Sequence, residues 1–484
     1  MDIRVILYVL GRISMALGMV LALNAIVSIV CQDAGLVALA GAAVVCFAVG
    51  MGLQRSRKGA VDDLSVREGI AITSLSWILV TFLGMLPYVF GGYLNILDGI
   101  LECISGLSGT GATVIADIEV LPQSILVWRS LTHWLGGLGI IVIFIALFPQ
   151  FGHGIVHMMD AESTGPTSDR MLPRVRQMAK ALFTVYVILT TAATVALMAC
   201  GLDFLTALEH AFSTIATGGF SPYNDSVAHF NSPLIEGVLA LFMILSSANF
   251  SIYVAAWRKG IGVIFRDTEF RLYVALVLGA SALMSLNLTY GASYDPLEAV
   301  RETFFQAASI SSSTGFVSAD FDQWPSFSKG ILLLLMISGG CSGSTAAGIK
   351  ISRVVILCRS LVAAVREKLH PRMVMDVEMN GRLIGQDTII RVNQFFFLYL
   401  VFIAFWALLL TFDGIGIFDA IGISVTTMGC IGPSFGITGA TCTYAGLSDF
   451  AKTILCISML LGRLELFTVL AMLHISFWKK RGNW

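Results

Sequence analysis

The sequence predicts an all-α integral membrane protein of ten transmembrane helices, an N-terminal hairpin followed by four repeats of helix, re-entrant segment and helix in a pseudo-fourfold array. Three observations carry that reading. Of 484 residues 56% are hydrophobic and only 13% charged, with a mean hydropathy of +0.84, a balance that a water-soluble chain of this length does not sustain. Apolar stretches long enough to cross about 30 Å of hydrocarbon recur along the whole length. Lys and Arg crowd into alternate connections between them. The net charge of −1 leaves no electrostatic footprint for nucleic acid. The nine cysteines are scattered, mostly in apolar runs and without a CxxC pair, which argues against redox or metal roles.

The elements follow in order. Arg4 and Arg12 precede the run Met15 to Val30, and Leu36 to Leu53 follows at once; without a small-residue cleavage site this is an anchored hairpin, and with its basic loop it fills residues 1–68. Further spans fall near 70–90, 128–148, 180–200, 234–257, 271–289, 328–350, 392–412 and 449–477. Basic residues collect at Arg55 to Arg67, Arg170 to Lys180, Arg258 to Arg271, Lys350 to Arg391 and Lys479 to Arg481, which puts those loops and both termini in the cytoplasm. By contrast 91–127, 202–233 and 413–447 hold no Lys or Arg, and 291–328 holds only Arg301.

Those four segments are too apolar for ordinary outer loops, and each has the length of a short descending helix with a return. They read Ser105-Gly-Leu-Ser-Gly-Thr-Gly111, Ser213-Thr-Ile-Ala-Thr-Gly-Gly219, Ser309-Ile-Ser-Ser-Ser-Thr-Gly315 and Ile423-Ser-Val-Thr-Thr-Met-Gly429. With the four closing glycines in register, at intervals of 108, 96 and 114 residues, a serine stands six residues upstream in three repeats and Ile423 is the odd member. The repeats divide at 69–177, 178–269, 270–390 and 391–484. A half-helix ending at mid-membrane aims the negative end of its dipole at the centre, and a glycine-rich return can offer carbonyls in place of a hydration shell. Four converging segments of this kind describe a cation filter. Carboxylates from Asp98 and Glu102 through Glu209 to Asp320 and Asp322 gather around them without lysine, and would draw cations to the mouth. Asp98 and Asp419 also suit helix caps.

Two further features stand out. Ser338 to Lys350 contains almost nothing bulky, so a helix there should break; non-helical backbone at that depth belongs beside a cavity, as a movable plug under the filter, with close helix packing as the plain alternative. Gly343 to Lys350 lacks the adjacent Gly-Lys-Ser/Thr of a phosphate cradle. Arg463, fourteen residues into the last span, sits roughly 21 Å down that helix, where arginine faces a wet pathway or a partner. No buried carboxylate is evident in sequence beside Arg463 or Lys350, which favours channel-like flux over coupled transport. His153 and His157 lack the Glu of a zinc motif. Gly432-Pro-Ser-Phe-Gly436 has the letters of a nucleophile elbow but not its strand and helix, and His133 and His210 suit hydrogen-bonded helix positions. The chain is not expected to be an enzyme.

These segments, with Trp128-Arg-Ser-Leu-Thr-His-Trp-Leu-Gly-Gly-Leu-Gly139 after the first, resemble the Trk/Ktr/HKT superfamily of potassium transporters, in particular its bacterial TrkH branch, over essentially the whole chain. The resemblance implies a potassium-channel-like fold and a potassium filter at Thr110, Gly111, Gly218, Gly219, Thr314, Gly315, Met428 and Gly429. It also implies a gate formed by Gly339, Gly340, Gly343, Gly348, Lys350 and Arg463. Gly111 argues by the same resemblance for potassium over sodium. The expected function is potassium uptake across the bacterial inner membrane through a channel-like pore, with potassium–proton or potassium–sodium symport as the alternative. The expected partners are a second copy in a homodimer, cytoplasmic TrkA-like RCK subunits that bind nucleotide, and membrane lipid, the last two meeting the basic loops.

Overall fold

The structure is a computed structural model that describes residues 2–55, 65–139, 142, 172–370, 377–464 and 466–478. The chain opens with α1 (Ile3–Cys31), capped by Asp2, and α2 (Leu36–Gln54). They form the expected hairpin, joined at mid-height by Ser14 Oγ donating to the Cys46 carbonyl at 2.7 Å. A capping box of Ser65 and Glu68 starts α3 (Val66–Gly84), and Pro87 follows at the head of the short α4 (Leu86–Phe90).

After this the same sequence of elements recurs. A short buried helix descends, a turn follows, and a second helix leaves. The four short helices are α5 (Ile96–Ser108), α8 (Phe204–Ile215), α13 (Pro296–Ser311) and α17 (Ile417–Gly429). Between them lie α6 (Gln123–Gly137), α7 (Leu172–Ala199), α9 (Pro233–Ser246), α10 (Phe250–Lys259), α11 (Gly262–Arg266) and α12 (Thr268–Gly291). The chain continues through α14 (Ser326–Ser338), α15 (Ile351–Leu369) and α16 (Gln386–Phe412), and closes with α18 (Asp449–Arg463), α19 (Leu466–Leu473) and α20 (Ile475–Trp478). Asn95, Asp203 and Asp295 cap the first three short helices, each accepting a backbone N–H in the first turn. Asp98 is therefore not the cap but the third residue inside, held by Asn95 Nδ2 at 2.7 Å.

Six described helices are long and apolar enough to cross a membrane, or up to eight if each of two bent pairs is one span, against the ten expected. The differences have local causes. The span expected at 128–148 is described as helix only to Gly137, and 140–141 with 143–148 lie outside the described residues. The one at 328–350 breaks after Ser338 where small residues take over. The spans expected at 234–257 and 449–477 turn by 87° after Ser246 and by 115° after Arg463. His153, His157 and Glu465 also lie outside the described residues.

One departure from an all-α chain is a two-stranded hairpin, β1 (Glu378–Met379) with β2 (Arg382–Leu383). Its turn is Asn380-Gly381, both at positive φ (51° and 71°), the pairing that two-residue hairpins favour.

Candidate ion passage

The turns after the short helices share one construction. The fifth amide after a hydroxyl residue bonds back to that residue's carbonyl: Thr110 N to Ser105 O at 2.9 Å, Gly218 N to Ser213 O at 2.8 Å, Thr314 N to Ser309 O at 2.9 Å and Ile431 N to Thr426 O at 2.9 Å. In each turn the residue before that amide has positive φ (Gly109 74°, Thr217 54°, Ser313 60°, Cys430 50°). The glycine after it is again positive, at Gly111 77°, Gly219 82°, Gly315 81° and Gly432 92°. A left-handed residue on either side of one ordinary residue is a backbone that L side chains resist, which is why glycine recurs at the last position.

The four turns also meet in cyclic order. A Cβ on Gly111 would collide with the Gly218 carbonyl, one on Gly219 with that of Thr314, one on Gly315 with that of Ile431, and one on Gly432 with that of Thr110. The last of these returns to the first, so the ring closes.

The fourth corner departs from the register read in the sequence. Gly429 is the last residue of α17, and the nearest atoms to a Cβ there would be the Met336 carbonyl oxygen at 3.0 Å and the Ile431 side chain at 3.1 Å. Met428 precedes it inside the same helix. The residues in register with Thr110 and Gly111 are Ile431 and Gly432. With that shift of three the odd Ile423 disappears, because Thr426 supplies the fourth hydroxyl residue in line with Ser105, Ser213 and Ser309.

Buried side chains beside the ring hold the returning segments. Glu102, fully buried, pairs with Arg129 Nε at 2.8 Å and accepts Val114 N at 2.9 Å and Thr113 Oγ1 at 3.1 Å. Arg129 also donates to the Ser221 carbonyl at 3.1 Å and stacks 4.1 Å from the Phe220 ring, so it ties the first turn to the second. His133 donates through Nδ1 to Gly106 O at 2.6 Å and accepts Phe220 N on Nε2 at 3.1 Å, a structural use as expected. Glu102 is thus an anchor rather than a lure for cations at the mouth. Lysines do accompany two of the other carboxylates: Lys452 lies 2.7 Å from Asp98, and Lys329 lies 3.7 Å from Asp322.

The small-residue run adopts no helix from Gly339 to Lys350 and lies against the turns. Thr345 Oγ1 donates to the carbonyls of Ile215, at the end of α8, and Ser246 at 3.0 and 3.2 Å; Ser313 Oγ donates to Ala347 O at 3.5 Å. Cys341 N bonds to Ser247 O at 3.0 Å, and Phe250 N to Gly343 O at 3.1 Å, so the bend between α9 and α10 grips the run. Lys350, at φ 79°, donates through Nζ to Ala346 O and is buried. Arg463 reaches the same place: Nη1 donates to Thr345 O at 3.0 Å, Nη2 to Gly136 O and Gly137 O at 2.5 and 2.6 Å. Gly137, Phe250, residues 343–348, Lys350 and Arg463 line a cavity of about 110 Å³. Gly339 and Gly340, also among the residues expected to form a gate, lie at the near end of the run, where a Cβ on Gly339 would collide with the Ala347 carbonyl.

One residue the sequence did not reveal stands here. Glu269, 4% exposed, accepts the amides of Ser342 and Ser352 from opposite ends of the run. It overturns the expectation that no buried carboxylate adjoins Lys350; in sequence it reads as a helix-start acid in a basic loop.

Comparison with known proteins agrees with the resemblance. The sequence model of the TrkH family, described as cation transport protein, matches residues 37–479. The chain is 33% identical to the Trk system potassium uptake protein TrkH of Halomonas elongata, covering 99% of this chain and 100% of that one. It is 33% identical to the Trk system potassium uptake protein TrkG of Escherichia coli, over 90% of both. Its fold superposes on the crystal structure of the potassium transporter TrkH from Vibrio parahaemolyticus with a TM-score of 0.89, at 30% identity, over 99% of this chain and 100% of that one.

Proposed function

This chain belongs to the TrkH family of cation transport proteins, and we propose that it takes up potassium across the bacterial inner membrane through a channel-like pore whose filter is the ring of four turns. It is a multi-pass membrane transporter rather than an enzyme. Potassium is its cargo, not a cofactor. The observation that carries the pore reading is the closed cycle from Gly111 through Gly219 and Gly315 to Gly432 and back to Thr110. Backbone that alternates between positive and negative φ can turn successive carbonyls to one side, and four such stretches on a common axis offer oxygens to an ion without its water. The ends of four short helices behind those stretches add the negative poles of their dipoles. The filter in this proposal comprises Thr110, Gly111, Gly218, Gly219, Thr314, Gly315, Ile431 and Gly432. The run from Gly339 to Lys350, with Arg463, is the gate.

The repeats divide near residues 69, 178, 270 and 391, and both termini face the cytoplasm. The relatives are named as parts of a Trk system, and the basic cytoplasmic loops suit a TrkA-like nucleotide-binding ring, anionic lipid and a homodimer. Symport is the competing reading, favoured by two buried carboxylates: Glu269, which adjoins the run ending at Lys350, and Glu209, whose buried Oε2 has no hydrogen-bond partner among the described residues. Rubidium uptake in a potassium-starved host tests transport. In proteoliposomes a reversal potential set by the potassium gradient alone supports the channel; one that follows the proton or sodium gradient replaces it with symport.

A further inference from the structure

We propose that Glu269 is a positioning residue of the gate: its carboxylate ties the two ends of the run from Gly339 to Lys350 together and holds the run in place across the passage. The inference rests on the gate reading given above. Glu269 is the second residue of α12, and a single oxygen, Oε1, accepts Ser342 N at 2.6 Å and Ser352 N at 3.0 Å. Ser342 lies four residues beyond the end of α14, and Ser352 lies in the first turn of α15. The hydroxyls of Ser342 and Ser352 also meet directly. The run therefore forms a closed loop whose neck is filled by one carboxylate.

The chemistry favours an anion at that neck. The first amides of α15 have no partner within the helix, and its dipole presents its positive end to Glu269. Lys350, between the two contacts, holds a positive φ that a side chain resists and that persists only where the surroundings impose it. Ile351 N bonding to Gly340 O at 3.0 Å and Lys350 N to Ser338 O at 3.1 Å complete the neck. Glu269 is itself well anchored. Asp267 caps α12 through Phe270 N at 2.8 Å and accepts Asn380 Nδ2 at 2.8 Å, while Asn380 Oδ1 accepts Thr268 N at 2.9 Å. A carboxylate that makes both bonds only while the neck is closed favours that state by the strength of those bonds.

The test uses the full-length chain in proteoliposomes and reads rubidium tracer uptake together with potassium-over-sodium preference. Glu269→Ala is expected to raise resting uptake at least about tenfold, the equivalent of one of the two charge-assisted hydrogen bonds it removes, with the preference unchanged. Glu269→Gln keeps a neutral acceptor and is expected to fall between. A purely structural part would lower uptake or shift the preference. A shortened Ser338–Gly348 run is the control. If shortening raises uptake and Glu269→Ala does not, the role of Glu269 is overturned and the gate stands; if shortening leaves uptake unchanged, the gate reading falls and takes this one with it. Should Glu269→Ala fail to fold, Ser342→Cys with Ser352→Cys in a Cys341→Ala background decides. A disulfide across the neck is expected to lower uptake and reductant to restore it; uptake indifferent to oxidation overturns the proposal.

Discussion

Gly432 stands directly over the carbonyl of Thr110, so that the last of four turns closes on the first across more than 300 residues of chain. That contact identifies which glycine of the fourth repeat belongs to the ring. Gly432→Ala is expected to disrupt the corner, since its φ of 92° and the Thr110 carbonyl both oppose a side chain. Rubidium uptake should fall or lose its preference over sodium. Gly429→Ala, at the end of α17 with a nearest contact of 3.0 Å, should keep the preference. The opposite pattern in paired uptake assays would return the filter to Gly429.

The shift of three shows what was legible in sequence and what was not. The positions of the short helices and turns were readable, because apolar character and Gly/Ser/Thr content coincide four times, with no Lys or Arg in three of the segments and only Arg301 in the other. The fourth register was not, since Thr427-Met-Gly-Cys-Ile-Gly432 offers two glycines three apart. The clue was Ile423 standing where three serines stood; moving to Gly432 puts Thr426 there. The break after Ser338 was readable for a similar local reason, as bulk vanishes from the run. Contacts between distant residues carry no such local pattern. Arg129 meets Glu102 from 27 residues away, and Glu269 meets Ser342 and Ser352 from 73 and 83. The Asn380-Gly381 hairpin was a local signal that hydropathy alone passes over.

Gly111 offers a graded test of the same ring. A serine there would drive its Cβ into the Gly218 carbonyl, so the first and second turns must part to admit it. Widening one side lets a smaller, more strongly hydrated ion pass with water attached. Gly111→Ser is expected to retain transport with relaxed potassium-over-sodium preference, read as the shift in reversal potential when external potassium is replaced by sodium.

The buried pair Glu102–Arg129 makes a prediction about stability. Removing one partner of such a pair leaves an uncompensated charge at a cost of about 3–5 kcal/mol. Here Val114 N also loses its acceptor. Glu102→Ala should therefore lower the Tm of the detergent-solubilised protein and reduce uptake. The double variant Glu102→Leu with Arg129→Met carries no stranded charge and should unfold at a higher temperature than either single variant. A double variant no more stable than the singles would show that hydrogen bonds to Val114 and Ser221, rather than charge pairing, dominate at this site.

Arg463 separates charge from geometry. Its guanidinium bridges the Thr345 carbonyl of the proposed gate and the Gly136 and Gly137 carbonyls at the end of α6, while its charge stands in the cavity with Lys350. Lysine keeps the charge, but its compact ammonium cannot reproduce a planar fork that spans both sides. If the bridge holds the gate, Arg463→Lys raises resting rubidium uptake about threefold, the effect of losing one bond, and Arg463→Ala raises it further because a positive barrier to cations also goes. Uptake by Arg463→Lys equal to that of the parent chain, with only Arg463→Ala raised, would assign the residue's effect to charge alone. The bridge from α18 to the gate would then be packing without control over flux.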